Sequence, residues 1–184
     1  MPRAHAYSIG DTVKPRTLTS IHDAPVSIPD SAHLVHLQFR RFAGCPICNT
    51  HLRQIAQRHD DIQAAGIREV VVFHSSAAAM LPYHAELPFD TIADPDKTLY
   101  AEFGVKESIR ALGSLRAARA SIRGIPRAVH TGGIRGATGV GERHLGQPAD
   151  FLIDQHGRII DRKYGNHAYD QWSVDELLHR AQTR

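Results

Sequence analysis

The chain has 184 residues, of which 42% are hydrophobic and 22% charged, and its 22 lysines and arginines against 19 acidic residues leave a net charge of +3. Such a composition excludes a disordered chain, and the length suffices for one domain with a sizeable core plus a modest insertion or arms. The longest apolar run, around Val70, Val71, Val72 and Phe73, is far short of a membrane span, and the N-terminus lacks an apolar segment of signal-peptide type. A cytoplasmic protein is expected, with no membrane and no nucleic-acid partner.

In chain order, residues 1 to 32 are polar and turn-rich. Pro15, Pro25 and Pro29 break any long element, so this N-terminal extension is expected to form short edge strands or a hairpin. His33 to Phe39 alternates and predicts a strand. A helix over 45 to 63 follows, because Cys48, Leu52, Ile55 and Ile62 recur at helical spacing on one face, and Gly66 is a plausible stop. Ile67 to Phe73 is rich in β-branched residues and predicts a buried strand, after which 76 to 86 is helical. Asp94-Pro95-Asp96 opens a short helix over 95 to 103 that ends at Gly104, with the aspartates as caps rather than acid–base groups.

The pattern is again helical from Lys106 to about Ala120. Residues 121 to 147 carry seven glycines and several arginines, show no readable period, and complete an insertion over about 106 to 147. No lysine-serine or lysine-threonine pair follows these glycines to make a phosphate loop. Asp150 to Asp154 and Arg158 to Lys163 predict two strands about a Gln155-His156-Gly157 turn, with Asp154 structural, and Ser173 is a candidate N-cap for a last helix. The order βαβα, hairpin, helix describes one α/β domain, a mixed central sheet with helices on both faces.

Cys45 and Cys48 are the only cysteines, two apart, where the first long strand hands over to the helix. Cys48 belongs to the apolar stripe and points inward. Cys45 falls at or before the first turn, where unpaired N–H groups and the positive end of the helix dipole favour a thiolate, and Pro46 suits the first helical position. Cys45 is therefore a candidate nucleophile of lowered pKa and Cys48 a shielded partner able to close a disulfide on it. A reducing compartment argues against a permanent bridge, leaving a transient dithiol or a metal pair. One Cys-x-x-Cys supplies two of the usual four zinc ligands, and no second pair is present, so no metal is assigned; a zinc pair completed by histidines and a redox-inert binding module remain the non-enzymatic alternatives. Arg40 and Arg41, four and five residues before Cys45, are candidate activating cations, of which alternation allows one to face the site; the competing reading is that both are solvated. Arg123, Arg127, Arg135 and Arg143 are further candidates, and His51 reads as a surface histidine.

The strings VVVFHSS, FDTIADPDKTLYAEFGV and PADFLIDQHGRIIDRKYG, set behind a strand and CPIC, resemble the thioredoxin-like superfamily, and within it the peroxiredoxin-like group related to alkyl hydroperoxide reductase and thiol-specific antioxidant. The resemblance runs from about Gly10 to Leu178. It implies a thioredoxin-like fold and an antioxidant oxidoreductase without a bound cofactor, acting on a hydroperoxide or a protein disulfide. It further implies an external thiol reductant such as a thioredoxin or glutathione system, and a homodimer. Relatives of the peroxidase type carry a proline seven residues and a hydroxyl residue three residues before the reactive cysteine, where this chain has Gln38 and Phe42. They also carry an arginine where this chain has Pro148. Disulfide reductases have a proline there, commonly cis and against the active-site sulfur, so Pro148 resembles the reductases. The reductase pattern is incomplete as well, since Gly44 replaces the tryptophan before the first cysteine and Phe39 the buried carboxylate.

Overall fold

The computed structural model describes residues 6–105 and 147–183. An antiparallel hairpin, β1 (Arg16–Thr19) with β2 (Pro25–Ile28), precedes a five-stranded mixed sheet. That sheet contains β3 (Leu34–Phe39), β4 (Ile67–Phe73), β5 (Asp90–Ala93), β6 (Ala149–Ile153) and β7 (Ile159–Tyr164), in the spatial order β5-β4-β3-β6-β7. The first three are parallel, while β6 runs antiparallel to both β3 and β7. Among the described residues the helices are α1 (Pro46–Gln57), α2 (His59–Ala64), α3 (Ala77–His84), α4 (Thr98–Glu102) and α5 (Val174–Gln182).

Apolar residues fill both sides of the sheet. One core joins Leu34, Val71, Phe73 and Leu152 to Cys48, Leu52 and Ile55 of α1, Ile62 of α2, Met80 of α3 and Leu177 of α5. The other joins Val35, Leu37, Phe39, Val70, Val72 and Phe151 to Leu99 and Tyr100 of α4 and to Val26 and Ile28 of the hairpin. The expected α/β architecture, a mixed sheet covered on both faces, is what forms. Because β3 is central and covered on both sides, all six of its residues are buried, polar ones included.

Several boundaries differ from expectation for identifiable reasons. The helix expected over 45 to 63 is two helices, because Arg58 leaves helical geometry (φ −117°, ψ 24°) and its guanidinium reaches Asp61 and Asp175 of α5. Ile62 stays in the buried stripe, and Asp60 and Asp61 lie in the first turn of α2, where the dipole favours them. The helix expected from 95 begins at Thr98, since Lys97 adopts a left-handed conformation (φ 57°) after a turn closed by Lys97 N–H to the Asp94 carbonyl at 3.0 Å. Asp94 is the expected cap, accepting from the N–H groups of Thr98, Leu99 and Tyr100 at 3.0, 2.9 and 3.2 Å. Ser173 caps α5 in a reciprocal box with Glu176, and Asp154 accepts from His156 and Arg158 within the β6–β7 turn. Strand β5 has no counterpart in the sequence-based reading. The insertion over 106–147, its helical pattern and the candidate arginines Arg123, Arg127, Arg135 and Arg143 lie, except for Gln147, outside the described residues. Among the described residues no helix is long and apolar enough to cross a membrane.

Candidate active site

Strand β3 ends at Phe39 and a short loop delivers Cys45 to the start of α1. Cys45 is the N-cap (φ −65°, ψ 112°), Pro46 opens the helix, and the Cys45 sulfur accepts the backbone N–H of Cys48 at 3.5 Å. The loop is pinned from several sides. Cys45 N–H donates to the Phe42 carbonyl at 3.0 Å, Ala43 N–H to the Ser75 hydroxyl at 2.9 Å, and the Asn49 amide to the Ala43 carbonyl at 3.0 Å. His84 of α3 in turn holds the Asn49 oxygen at 2.9 Å. Both cysteines are free thiols and both are 1% exposed.

Their acidities diverge. Hydrogen bonding to the Cys48 thiol, against the cost of burial, lowers Cys45 to about 7, with the backbone N–H groups of Cys48 and Ile47 and the Arg41 cation assisting. Burial pushes Cys48 well above its ordinary value, and the charge of Cys45 pushes it the same way; the Arg41 backbone N–H and the Arg40 cation oppose this. A helix N-terminus and nearby cations are the usual means of stabilising a reactive thiolate.

The two arginines depart from the sequence-based expectation. Neither is solvated: Arg40 is 0% and Arg41 1% exposed. Nor does alternation allot the site to one of them, because both lie past the end of β3; Arg41 acts on Cys45 and Arg40 on Cys48. Phe42 is buried, with its ring centroid 5.7 Å from the Arg41 guanidinium carbon. Pro148 is buried one residue before β6, next to the Phe39–Ala149 pair, and its carbonyl accepts Gly165 N–H at 2.8 Å. Among the described residues the cis peptide bond is Ile28–Pro29, not Gln147–Pro148. His51 is half-buried rather than free on the surface, and donates through Nε2 to the Trp172 carbonyl at 2.8 Å. Burial, then the Arg40 charge, lowers it to about 4, so it stays neutral.

A buried layer of polar side chains beneath α1 escaped the sequence-based reading altogether. His36, Gln38 and Arg40 project from β3 and its end, Glu69 from β4 and Asp150 from β6, all 0–1% exposed. His36 meets Glu69 through Nδ1 at 2.9 Å and Asp150 through Nε2 at 3.2 Å. Arg40 Nη2 donates to Asp150 at 2.7 Å and to the Gln38 oxygen, whose amide nitrogen donates to Glu69. Burial disfavours charge on His36, but Glu69 and Asp150 outweigh it and raise the imidazole to about 9, so both ring nitrogens donate. Asp150 is driven far below the carboxylate range by Arg40 and His36 despite its burial. Two cations and two carboxylates thus form a neutral set with Trp172 stacked on His36 at 5.6 Å.

A cavity of about 750 Å³ lies at the other end of the parallel strands, lined by His22, His59, Arg68, Phe89 and Asp90, and contains neither cysteine. Among the described residues no group of three or more His, Cys, Asp or Glu side chains is arranged to hold a metal ion.

Residues 9–162 match the AhpC/TSA family. No curated protein sequence matches the chain significantly. Among solved structures, the peroxidoxin BcpB of Mycobacterium tuberculosis is 17% identical with a TM-score of 0.68, over 98% of this chain and 99% of that one. AhpC of the same organism is 14% identical with a TM-score of 0.66, over 96% and 92% of the two chains. A protein assigned as a thiol:disulfide interchange protein, DsbE, from Chlorobium tepidum is 18% identical with a TM-score of 0.61, over 96% and 99%. At these identities the structural likeness concerns the fold, which is thioredoxin-like.

Proposed function

The chain belongs to the AhpC/TSA family, and on that premise we propose that it is a thiol-dependent antioxidant oxidoreductase in which Cys45 reduces a hydroperoxide and Cys48 resolves the product. The observation that carries this reading is the N-cap position of Cys45, whose thiol is lowered to about 7 beside a Cys48 thiol kept protonated. The Cys45 thiolate attacks the terminal peroxide oxygen. The O–O bond breaks, the alkoxide leaves with a proton as alcohol or water, and Cys45 becomes a sulfenic acid. Cys48 then displaces hydroxide from that sulfur, forming the disulfide and water, and two equivalents of an external thiol of the thioredoxin or glutathione type restore the dithiol. The 1% exposure of Cys45 favours a small oxidant, and the Arg41 cation is the group present to bind peroxide oxygen where Phe42 offers no hydroxyl.

A second reading, exchange with protein disulfides, draws on Pro148 standing where peroxidases place an arginine. Reduced protein mixed rapidly with hydrogen peroxide, an organic hydroperoxide and a model protein disulfide separates the two. The peroxidase reading expects fast oxidation by peroxide that is lost in Cys45→Ser. Turnover of the disulfide alone favours the second reading, and unchanged reactivity of Cys45→Ser ends both. Stoichiometric zinc in the purified chain would replace either with a metal-binding role.

A further inference from the structure

Asn49 touches the loop of the nucleophile twice. Its backbone N–H donates to the Cys45 carbonyl at 3.0 Å, and its side-chain amide donates to the Ala43 carbonyl at 3.0 Å. Residues 43 to 49 are thereby closed into a ring that has Cys45 inside it. Ala43 N–H donates to the buried Ser75 hydroxyl at 2.9 Å, so both polar backbone groups of Ala43 are held by side chains. Asn49 is held in turn from α3, where His84 Nε2 lies 2.9 Å from Asn49 Oδ1. Because the Asn49 nitrogen faces Ala43, its oxygen faces His84, and the imidazole nitrogen must be the donor. His84 is 2% exposed, and its ring stacks on Phe73 with centroids 4.3 Å and planes 20° apart, which fixes the direction of that donor. The other ring nitrogen, Nδ1, is buried and has no hydrogen-bond partner among the described residues. An unmet acceptor in such a place is destabilising, and a phenyl ring would keep the stacking without it. What the imidazole adds over a phenyl ring is the hydrogen bond to Asn49.

We propose that His84, acting through Asn49, is a positioning residue for Cys45: it keeps the 43–49 ring closed, so that the Cys45 sulfur stays at the start of α1 against the Cys48 N–H that reaches it at 3.5 Å. This rests on reading Cys45 as the nucleophile. Without the donor from α3, the Asn49 amide is free to swing away from Ala43, and the loop loses the tie that spans Cys45. The sulfur then leaves the helix end, where unpaired N–H groups and the dipole favour its thiolate. His84 itself stays neutral down to about 4 because it is buried, so its own titration does not enter between pH 6 and 9, where Cys45 is followed.

The test follows alkylation of Cys45 by iodoacetamide against pH in the full chain, in His84→Phe, in Asn49→Ala and in the double variant, with thermal melts to establish that each is folded. His84→Phe keeps the ring on Phe73 and removes the donor; His84→Leu, which also lacks a donor, replaces it if the phenyl ring prevents folding. The expected result is an alkylation midpoint displaced upward from about 7 by about one pH unit in each single variant. The double variant should be displaced no further than Asn49→Ala, because His84 acts only through Asn49. At pH 7 such a shift leaves about a tenth of the thiol ionised in place of half, so oxidation by hydrogen peroxide should slow about fivefold. His84→Gln, which carries an amide N–H in reach of the same oxygen, should keep the midpoint of the original chain. Midpoints unmoved in both single variants, or displacements that add in the double variant, overturn the proposal even where the melts fall. Failure of every oxidant to react with Cys45 in the original chain would instead overturn the proposed function, while the alkylation midpoints would still judge His84.

Discussion

Replacing Asp150 by Asn tests whether the layer beneath α1 is a dry, paired set of charges. Asparagine keeps the shape and an acceptor for the Trp172 N–H, now 3.3 Å from the carboxylate, but removes the charge that Arg40 meets at 2.7 Å and His36 at 3.2 Å. Arg40 and His36 are then left with Glu69 as the single carboxylate, and all of them are 0–1% exposed. Removing one member of a buried pair typically costs about 3–5 kcal/mol, because the partner charge stays in the core unpaired. The low end of that range is expected here, since His36 can shed its proton. For a chain of this size about 1 kcal/mol corresponds to about 2–4 °C in Tm, so Asp150→Asn should melt about 6–12 °C lower at neutral pH. The pH axis adds a second constraint. His36 is raised to about 9 in the folded state from an ordinary 6.5, so its stabilisation is complete below 6.5 and disappears as pH rises through 9. Thermal melts of the original chain should therefore decline between those limits, by about 3 kcal/mol in all as an order of magnitude. The Asp150→Asn variant should be flatter there, because its imidazole has lost one of two counter-charges. A Tm loss below about 3 °C at neutral pH, or parallel pH profiles for the two proteins, would refute the paired-layer account.

Other outcomes follow from the same geometry. Alkylation of Cys45 should rise with pH through a midpoint of about 7, with about half the thiol ionised at neutrality, whereas a midpoint at the ordinary 8.5 would remove the basis for its role as nucleophile. Asp94→Ala leaves three N–H groups at the start of α4 without their carboxylate and should cost about 2–3 kcal/mol by urea denaturation; it should also slow the cysteine chemistry, since α4 carries the Tyr100 that holds the Arg40 carbonyl. His51 and His84 are both held neutral down to about 4 by burial, so the unfolded chain takes up protons that the folded chain does not as pH falls from 6.5 to 4. Stability should fall across that window, which melts in graded buffers would register.

The cysteine pair was legible because its information is local: Pro46 after Cys45, and Cys48 in step with Leu52 and Ile55, suffice to place one sulfur at a helix end and the other in the core. The β6–β7 turn and the Ser173 cap are equally local. The charge layer is not. His36 and Gln38 look like the polar half of an ordinary alternating strand, and Glu69 like a surface residue at the head of an apolar run. Only the order β4-β3-β6 sets His36 opposite Glu69 and Gln38 opposite Asp150 across the sheet. One signal was available, since a strand expected at the centre of a sheet with helices on both faces must bury its polar positions, and buried polar groups need partners. Strand β5 escaped because four residues with Asp90 and Thr91 among them carry too little periodicity. The break at Arg58 escaped because an apolar stripe continues across it to Ile62.

The unequal acidities of the two cysteines bear on the return half of the cycle as much as on the first. A disulfide prefers to expel its more acidic sulfur, which would direct an incoming reductant onto Cys48 with Cys45 leaving. Access argues the other way: Cys45 is flanked by half-buried Gly44 and exposed Pro46, whereas Cys48 is flanked by buried Ile47 and half-buried Asn49. If reductant can enter only at Cys45, the leaving group is Cys48, whose thiolate burial disfavours. The same sulfur must then carry negative charge twice, once attacking and once leaving. The backbone N–H of Arg41, which favours charge on that sulfur against its burial, is fixed in the main chain and eases both directions. The neighbouring Arg40, always charged, is itself costly to bury, and the Asp150 carboxylate, the Gln38 amide oxygen and the carbonyls of Phe39 and Ala149 offset that cost.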